Sequence, residues 1–582
     1  MYLKRTPNKS GRVSLSAVQA YRDESGKKRQ RTVETFGFVD ELEREFADPV
    51  AHFREVVAAM DAARLAEEAT ATIAIHPRQR VDKRESARLR RHVGDALACW
   101  WLDELGVETA VRNGMRGRRA GYDLNAVLRL LVCERLLEPG SKLAAWERRD
   151  RHFFRTEFTD DDVYRALDEV DRLSDRIVGA CNRSVAANAG RDESLVYYDV
   201  TNYFFECDPD DGGLRRKGVS KEHRPNPIVQ MGLLQDSEAI PIGYDLFAGN
   251  TNDCETLLPV LKRRKERGLG RVVVVADKGM NCSDNIAGIV AGGDGFVFSQ
   301  SIRGTRSTSE LREWALSDEG YEASPDGEFK IKSSQRYKRV HIKDVDAFDG
   351  EAKDVDVEVK VVAMWSRKYA ERARHERDKV LEKSRQLVAD PGAYTRATHY
   401  GATRFVRGVT FDRGTGEVLE EAGVKPQVDQ DAVDEAARLD GYYLIVTSET
   451  DWEDSRILDA YRELWRIEEA FRVTKTGGID SRPVWVWTEG HIRAHFLTCY
   501  LALLIVRLSQ RALPSHPSAQ ALLADMRALD CSFADDGWWL FDHRTDLTDE
   551  IFALVGEEAP RKWMRTGDIK ALFKRGKKIR WR

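Results

Sequence analysis

A chain of 582 residues exceeds what one hydrophobic core usually serves, so several domains are expected. A composition that is 42% hydrophobic and 33% charged excludes a disordered or low-complexity chain. The formal net charge of −4 excludes reading a nucleic-acid role from overall charge, so any basic surface must be local.

Residues 1–80 read as an N-terminal arm of short β-like runs followed by an Ala/Glu-rich helix. A basic cluster from Arg78 to Arg91 comes next. Over 81–190 apolar residues recur at helical spacing (ALACWWLDELGV, NAVLRLLVCERLL, DVYRALDEVDRLSDRIVGACN), which predicts a helical domain. The character changes at Leu195. LVYYDVTNYFFE, PIVQMGLLQ and AIPIGYDLFAG read as three strands, ETLLPVLKRRKERG as a helix, RVVVVAD as a buried strand, SDNIAGIVA as a helix and GFVFSQSI as a strand. That succession over 191–302 predicts a mixed sheet flanked by helices.

Residues 303–440 are polar and charged, with short strands (EFKIKS, DVEVKVVAMW), one long charged helix (KYAERARHERDKVLEKSRQLVA) and a Gly-rich hairpin (VTFDRGTGEVL). They read as a β-rich and helical module inserted into the sheet domain. The core resumes over 441–510 with the strand YYLIVTS and the helix ILDAYRELWRIEEAFRVTKT, and 511–582 form a C-terminal region with a basic tail. The longest apolar run, Ala494 to Val506, covers 13 residues, short of the roughly 20 that span a bilayer, so it reads as a buried helix with no membrane role. Eight scattered cysteines without a C-x-x-C pair, and a start without an apolar leader, point to the cytoplasm.

Three acids stand out by position. Asp199 interrupts an aromatic, β-branched strand, Asp277 ends VVVVAD where a strand delivers a side chain to a sheet edge, and Glu468 lies on an amphipathic helix. With 97 acidic residues in the chain, any one of these is ordinary; the conjunction of strand, strand and helix in this order is not. Three converging carboxylates repel and protonate unless cations compensate them. Two Mg²⁺ ions suit an all-oxygen ligand set, with Mn²⁺ a possible substitute, and about 3.5–4 Å apart they serve in-line phosphodiester attack.

These residues carry a resemblance. YYDVTNYFFE, VVVVADKGMN and YRELWRIEEAFRVTKT match the three acid-bearing stations of a DDE transposase with a ribonuclease H-like core, and the chain is similar to the insertion-sequence-four superfamily over about 195–510. AGNTNDCETL also looks like this family. The resemblance implies a multidomain α/β chain with a ribonuclease H-like mixed sheet, and catalytic, metal-holding roles for Asp199, Asp277 and Glu468. It implies cleavage at terminal inverted repeats, and transfer of 3′-hydroxyl ends into target DNA by a homodimer in the synaptic complex, in a cytoplasmic, nucleoid-associated protein. The family's Y-x2-R-x3-E-x6-K signature falls on Tyr461, Leu464, Glu468 and Lys475, with Leu464 a departure at the Arg position. Tyr461 and Lys475 are then expected to grip the DNA backbone from one helical stripe. Arg472 is a substitute phosphate contact, and Glu469 the rival for the catalytic position.

Lys278 and Asn281 are candidate DNA contacts. His491 and His495, four apart, read as packing or DNA contacts rather than metal ligands, and Trp365 as core rather than a base-stacking residue. Tyr198, Tyr203, Phe204 and Phe205 read as strand core. Three basic segments form the expected double-stranded DNA footprint: the N-terminal arm (Lys4, Arg5, Lys9, Arg12, Lys27, Lys28, Arg29, Arg31), the cluster from Arg78 to Arg91, and the tail from Arg561 to Arg582 with ten Lys or Arg against one acid, Asp568. The helical stretch 81–190 is the expected reader of the terminal repeat. The alternatives are a structure-specific nuclease on the same core and a catalytically silent DNA-binding relic.

Overall fold

The computed structural model describes residues 1–8, 10–22, 28–67, 78, 80–82, 88–206, 210–222, 224–263, 270–303, 308–342, 353–390, 401–408, 410–411, 418–419 and 426–581. The chain divides into two compact units, Met1–Arg80 and Val81–Arg582.

In the first unit, strands Tyr2–Pro7, Val13–Arg22 and Lys28–Phe38 form an antiparallel sheet, followed by a helix over Pro49–Glu67. Leu15, Ala17 and Val18 are buried in the middle strand, with Val57 from the helix. Register shifts between Leu15 and Ser16 and between Ala17 and Val18 let consecutive residues turn inward.

The second unit is built on a nine-stranded sheet. Its strands are β1 (Leu195–Phe204), β2 (Ile228–Asp236), β3 (Pro241–Ala248), β4 (Val273–Ala276), β5 (Gly295–Gln300), β6 (Glu322–Ala323), β7 (Phe329–Ile342), β8 (Lys353–Ser366) and β9 (Tyr442–Thr447). The spatial order is β6-β7-β8-β9-β5-β4-β1-β2-β3. β1, β4 and β5 are mutually parallel; the other pairings are antiparallel.

Strand alternation divides the sheet's side chains between two layers. Val196, Tyr198, Val200, Val274 and Ala276 face one apolar cluster with helices α1 (Leu257–Lys262) and α2 (Ser283–Ala291). Tyr197, Tyr203, Val273, Val275 and Val297 face the other, shared with α3 (Asp454–Arg462), α4 (Trp465–Lys475) and α5 (Glu489–Ala512). The 24-residue α5 is long and apolar enough to cross a membrane, yet 94% of its most apolar window is buried inside the molecule. It packs against the helices Leu124–Leu137 and Asp160–Arg172 on one side and β3 on the other. The helical stretch therefore shares one core with the sheet and with the C-terminal region. A four-stranded sheet, ordered Trp563–Arg565, Trp538–Phe541, Asp530–Asp535 and Arg90–His92, ties that last region to the segment before the bundle.

The polar stretch after β5 differs from the expected pair of short strands. β7 and β8 are 14 residues each, paired from Phe329↔Ser366 to Ile342↔Lys353, and β8 continues the ladder onto β9. Alternation explains it: Val357, Val359 and Val361 are buried, whereas Lys332 is buried with its ammonium donating to the carbonyls of Trp314, Ser317 and Glu319. The expected helix ETLLPVLKRRKERG is described only as α1, and the turn of the Gly-rich hairpin, 412–417, lies outside the described residues. The helix expected through Tyr461 and Glu468 is two, broken at Glu463–Leu464, where the Leu464 and Ile467 N–H groups bond three residues back, to the Tyr461 and Leu464 carbonyls.

A buried ionic triad locks the bundle. His152 sits between Asp95, 2.7 Å from Nδ1, and Glu134, 2.9 Å from Nε2, with Arg148 on the far oxygen of Glu134. Burial alone lowers the imidazolium pKa, but the bonds to Asp95 and Glu134 outweigh it and raise it to about 9. A raised folded-state pKa stabilises fully below the unfolded value near 6.5, and that contribution is lost as pH rises through about 9. Chemical denaturation of wild type and His152→Gln across pH 6–10 should show a stability gap of a few kcal/mol at pH 6 that narrows through this window. A gap that does not change with pH contradicts the charged triad.

Candidate active site

The ladder between β1 and β4 sets the site. Tyr197 stands opposite Val275 in parallel register, on strands of the usual spacing of about 4.8 Å. Carried two residues further, that register puts Asp199 on β1 and Asp277, the first residue past β4, on the same side of the sheet. The β4–β5 ladder, with Ala276 opposite Phe298, brings Ser299 beside Asp277. Ser299 Oγ donates to Asp277 Oδ1 at 2.9 Å, and the Tyr461 hydroxyl approaches the same oxygen from α3 at 3.5 Å. On that face α4 packs over β1 and carries Glu468, which is exposed.

Asp199 is partly buried, and its Oδ1 accepts from the Val200 N–H at 2.7 Å. Burial pushes its carboxyl up to about 6; Lys221 and the Val200 N–H pull it down, while Asp277 and Glu468 add to the rise. The three acids thus share one field. Among the described residues, however, no three His, Cys, Asp or Glu side chains stand close enough to hold a metal ion as placed. Two lysines frame the acids. Lys221 donates to the Val200 carbonyl at 2.5 Å, and Lys475 lies 3.7 Å from Glu222 and 5.5 Å from the Tyr203 ring centroid. Burial, then repulsion from Lys221, lowers Lys475 to about 8 against the pull of Asp199.

The remaining sequence-predicted residues take definite places. Arg472 is exposed on α4, and Lys278 is exposed in the 3-10 turn Lys278–Met280. Leu464 is core, so the signature's Arg position does not face the acids here. Glu469 forms an ion pair with Arg507 of α5. Asn281 donates to the Ser299 carbonyl and Gln300 Oε1, both at 2.9 Å, and accepts from Lys338, which makes it a tie between the Asp277 turn and the sheet. His491 lies 3.3 Å from Asp168, and His495 hydrogen-bonds Lys142 and the Ser481 carbonyl. Trp365 donates to the Asp440 carbonyl. Tyr198, Tyr203, Phe204 and Phe205 are buried.

The basic segments are partly neutralised within the fold. In the tail, Arg575 pairs with Glu108, Lys577 with Glu557 and Arg561 with Asp568, while the Trp581 indole donates to Glu104. In the second cluster Arg88 pairs with Asp150 and Arg90 with Asp530, and residues 83–87 lie outside the described set. In the arm Arg12 bonds Asp40 and Glu41; Lys9 and Lys27 lie outside the described residues. Ser299 and Lys221 escaped the sequence reading. Their only trace there was a strand, GFVFSQS, running parallel beside VVVVAD, and a basic loop, GVSKEHRP, after the Asp199 strand.

With this geometry in place, two family matches identify the chain. Residues 3–71 match the IS1634 family transposase N-terminal domain, and residues 216–504 match the transposase DDE domain. No curated protein matches the chain. The chain belongs to the DDE transposases of an insertion-sequence family and is an enzyme that acts on DNA.

The neighbouring acids Glu468 and Glu469 separate by experiment. Glu469→Gln leaves the nearly buried Arg507 charge unmatched and should cost about 3 kcal/mol in urea denaturation. Glu468→Gln, on the exposed side, should stay within about 0.5 kcal/mol of wild type. Reversed costs would make Glu468 the structural acid.

Proposed function

We propose that this transposase cuts DNA strands at the terminal inverted repeats of its element and joins the freed 3′-hydroxyls to target DNA, with Asp199, Asp277 and Glu468 as its catalytic acids. The observation that carries the reading is the shared face of Asp199 and Asp277 on adjacent parallel strands beneath the Glu468 helix. The strand order β3-β2-β1-β4-β5, with β2 antiparallel to β1 and the helices split between faces, supports a ribonuclease H-like core at the centre of the sheet.

DDE transposase domains use divalent metals. The donor set fits Mg²⁺: it is all carboxylate, and Asp199, raised mainly by burial and further by Asp277 and Glu468, is a crowded carboxyl whose charged form a hard cation would stabilise. Asp199, Asp277 and Glu468 would hold two ions, which supply activation of the attacking oxygen and stabilisation of the leaving one. The chain's own groups do the positioning. Ser299 and Tyr461 orient the Asp277 carboxylate through its Oδ1. Lys475 and Lys221 place positive charge beside Asp199, where a scissile phosphate would lie. Arg472, exposed on α4, and Lys278, exposed in the turn after Asp277, contact the flanking backbone. Cutting two ends needs two such sites, hence a homodimer in the synaptic complex, working in the cytoplasm at the nucleoid.

Asp199→Asn should abolish strand cleavage of a terminal-repeat duplex while leaving gel-shift affinity close to wild type, and EDTA should do the same to the unmodified enzyme. Cleavage by the variant at the normal rate removes Asp199 from the mechanism. Cleavage without joining to a second duplex would make the protein a nuclease. If six to eight phosphates are neutralised, affinity should fall by roughly three to four orders of magnitude between 50 and 200 mM salt; a flat salt response would exclude a backbone-dominated interface.

A further inference from the structure

The segment between α4 and α5 exposes two tryptophans that no step above uses. Val484 and Val486 are buried while Trp485 and Trp487 are 47% and 48% exposed, the alternation of an extended strand. That places both side chains on one outward face, from backbone positions that an extended segment spaces about 6.6 Å apart. The segment is fixed from beneath. The Val484 N–H donates to the Phe204 carbonyl at 3.2 Å, the Ser481 carbonyl accepts from His495 at 2.9 Å, and the Asp480 carbonyl accepts from Arg135 at 3.1 Å. Two half-exposed indoles side by side on a backbone anchored this way form an apolar face of the kind that marks a binding surface.

The surroundings say which. Phe204 lies five residues beyond Asp199 on β1, about 16 Å along the strand, so the pair stands a short reach from the three acids. Between them Lys475, Arg482 and Arg224 gather around one carboxylate, Glu222, with Lys221 close to Lys475 and Glu206 4.0 Å from Arg224. The arginines lie over rings: Arg224 sits 4.0 Å and Arg482 5.7 Å from the Phe204 centroid, and Arg215 5.6 Å from that of Trp487. Lys221 is matched by Asp253 and Arg215 by Asp211, but Lys475, Arg482 and Arg224 still outnumber Glu222 and Glu206. Cations leading to paired flat apolar faces match a strand of phosphates followed by bases whose faces are free.

We infer that Trp485 and Trp487 form a stacking platform for unpaired bases of the DNA strand next to the cut phosphate, whose backbone follows Lys475, Arg482 and Arg224. The inference rests on the reading that the three acids cut DNA at this site. A fully paired duplex offers no free base faces, so the platform acts on frayed or already cleaved ends.

The test uses the full-length protein in EDTA and fluorescence anisotropy on three DNAs: a blunt duplex, the same duplex with a five-thymidine single-stranded tail, and that duplex with an abasic tail of equal charge. Wild type should bind the thymidine tail about tenfold more tightly than the abasic one. W485A/W487A should erase that difference while its affinity for blunt duplex holds, and W485F/W487F should keep most of it. Should the alanine variant fail to fold, single W487A and the phenylalanine variant carry the comparison. Equal wild-type affinity for the two tails overturns the platform, as does an alanine variant that still discriminates. A change in sedimentation mass with unchanged tail discrimination assigns the patch to a contact between copies and also overturns it. Loss of wild-type binding to all three DNAs would instead sink the transposase mechanism itself, whereas indistinguishable tails alongside an inactive Asp199→Asn enzyme sink only this inference.

Discussion

The parallel pairing of β1 with β4 is the constraint on which the rest of the site depends. With Tyr197 opposite Val275, Asp199 and Asp277 share the face that α3 and α4 cover. A slip of one residue would turn one of them toward α1 and α2, into the apolar layer on the opposite side of the sheet. Burial of Val196, Val274, Tyr197 and Val275 on both faces makes that slip expensive, so the apolar residues nearest the acids also fix the acids' direction.

The second element of placement comes from outside the sheet. Glu468 and Tyr461 sit on short helices, 11 and nine residues long, that depend on tertiary contacts for their position. Those contacts come through Leu464, Ile467 and Phe471 into the core, and through the Glu469–Arg507 pair onto α5. Because α5 is also the axis of the helical bundle, a disturbance of the bundle reaches the acids without passing through the sheet. The loop after α4 is held from the same side by Arg135, Lys142 through His495, and Arg527, which donates to the Gly478 carbonyl.

The strands bearing the acids were legible because VVVVAD and VYYDVTNYFF combine β-branched and aromatic runs with one misplaced charge. The long apolar run of α5 was legible as buried for a similar reason. What failed to show was whatever depends on a partner far along the chain. Charged runs such as KIKSSQRYKRVHIK hide a 14-residue strand because its solvent face is polar and its inward Lys332 is satisfied by carbonyls. The break before α4 is invisible because YRELWRIEE keeps helical spacing straight through Glu463–Leu464, where the hydrogen bonds tighten to three residues. Ser299 and Lys221 reach Asp277 and Asp199 only through strand register and a loop path. The basic tail read only as part of a DNA footprint, since neither Glu104 nor Glu108 announces in sequence that it will meet Trp581 and Arg575.

The hairpin of β7 and β8 carries a consequence for how such proteins diverge. Because its near end is hydrogen-bonded into β9, and β9 into β5, the inserted segment shares a backbone ladder with the strand that holds Ser299. Changes in its length are therefore tolerated at the far end, between Ile342 and Lys353, and in matched pairs of residues. A single-residue gain in one arm near Trp365 would invert the inside and outside of everything from there to β9. Relatives are then expected to differ in how far this ribbon projects while keeping the parity of its base.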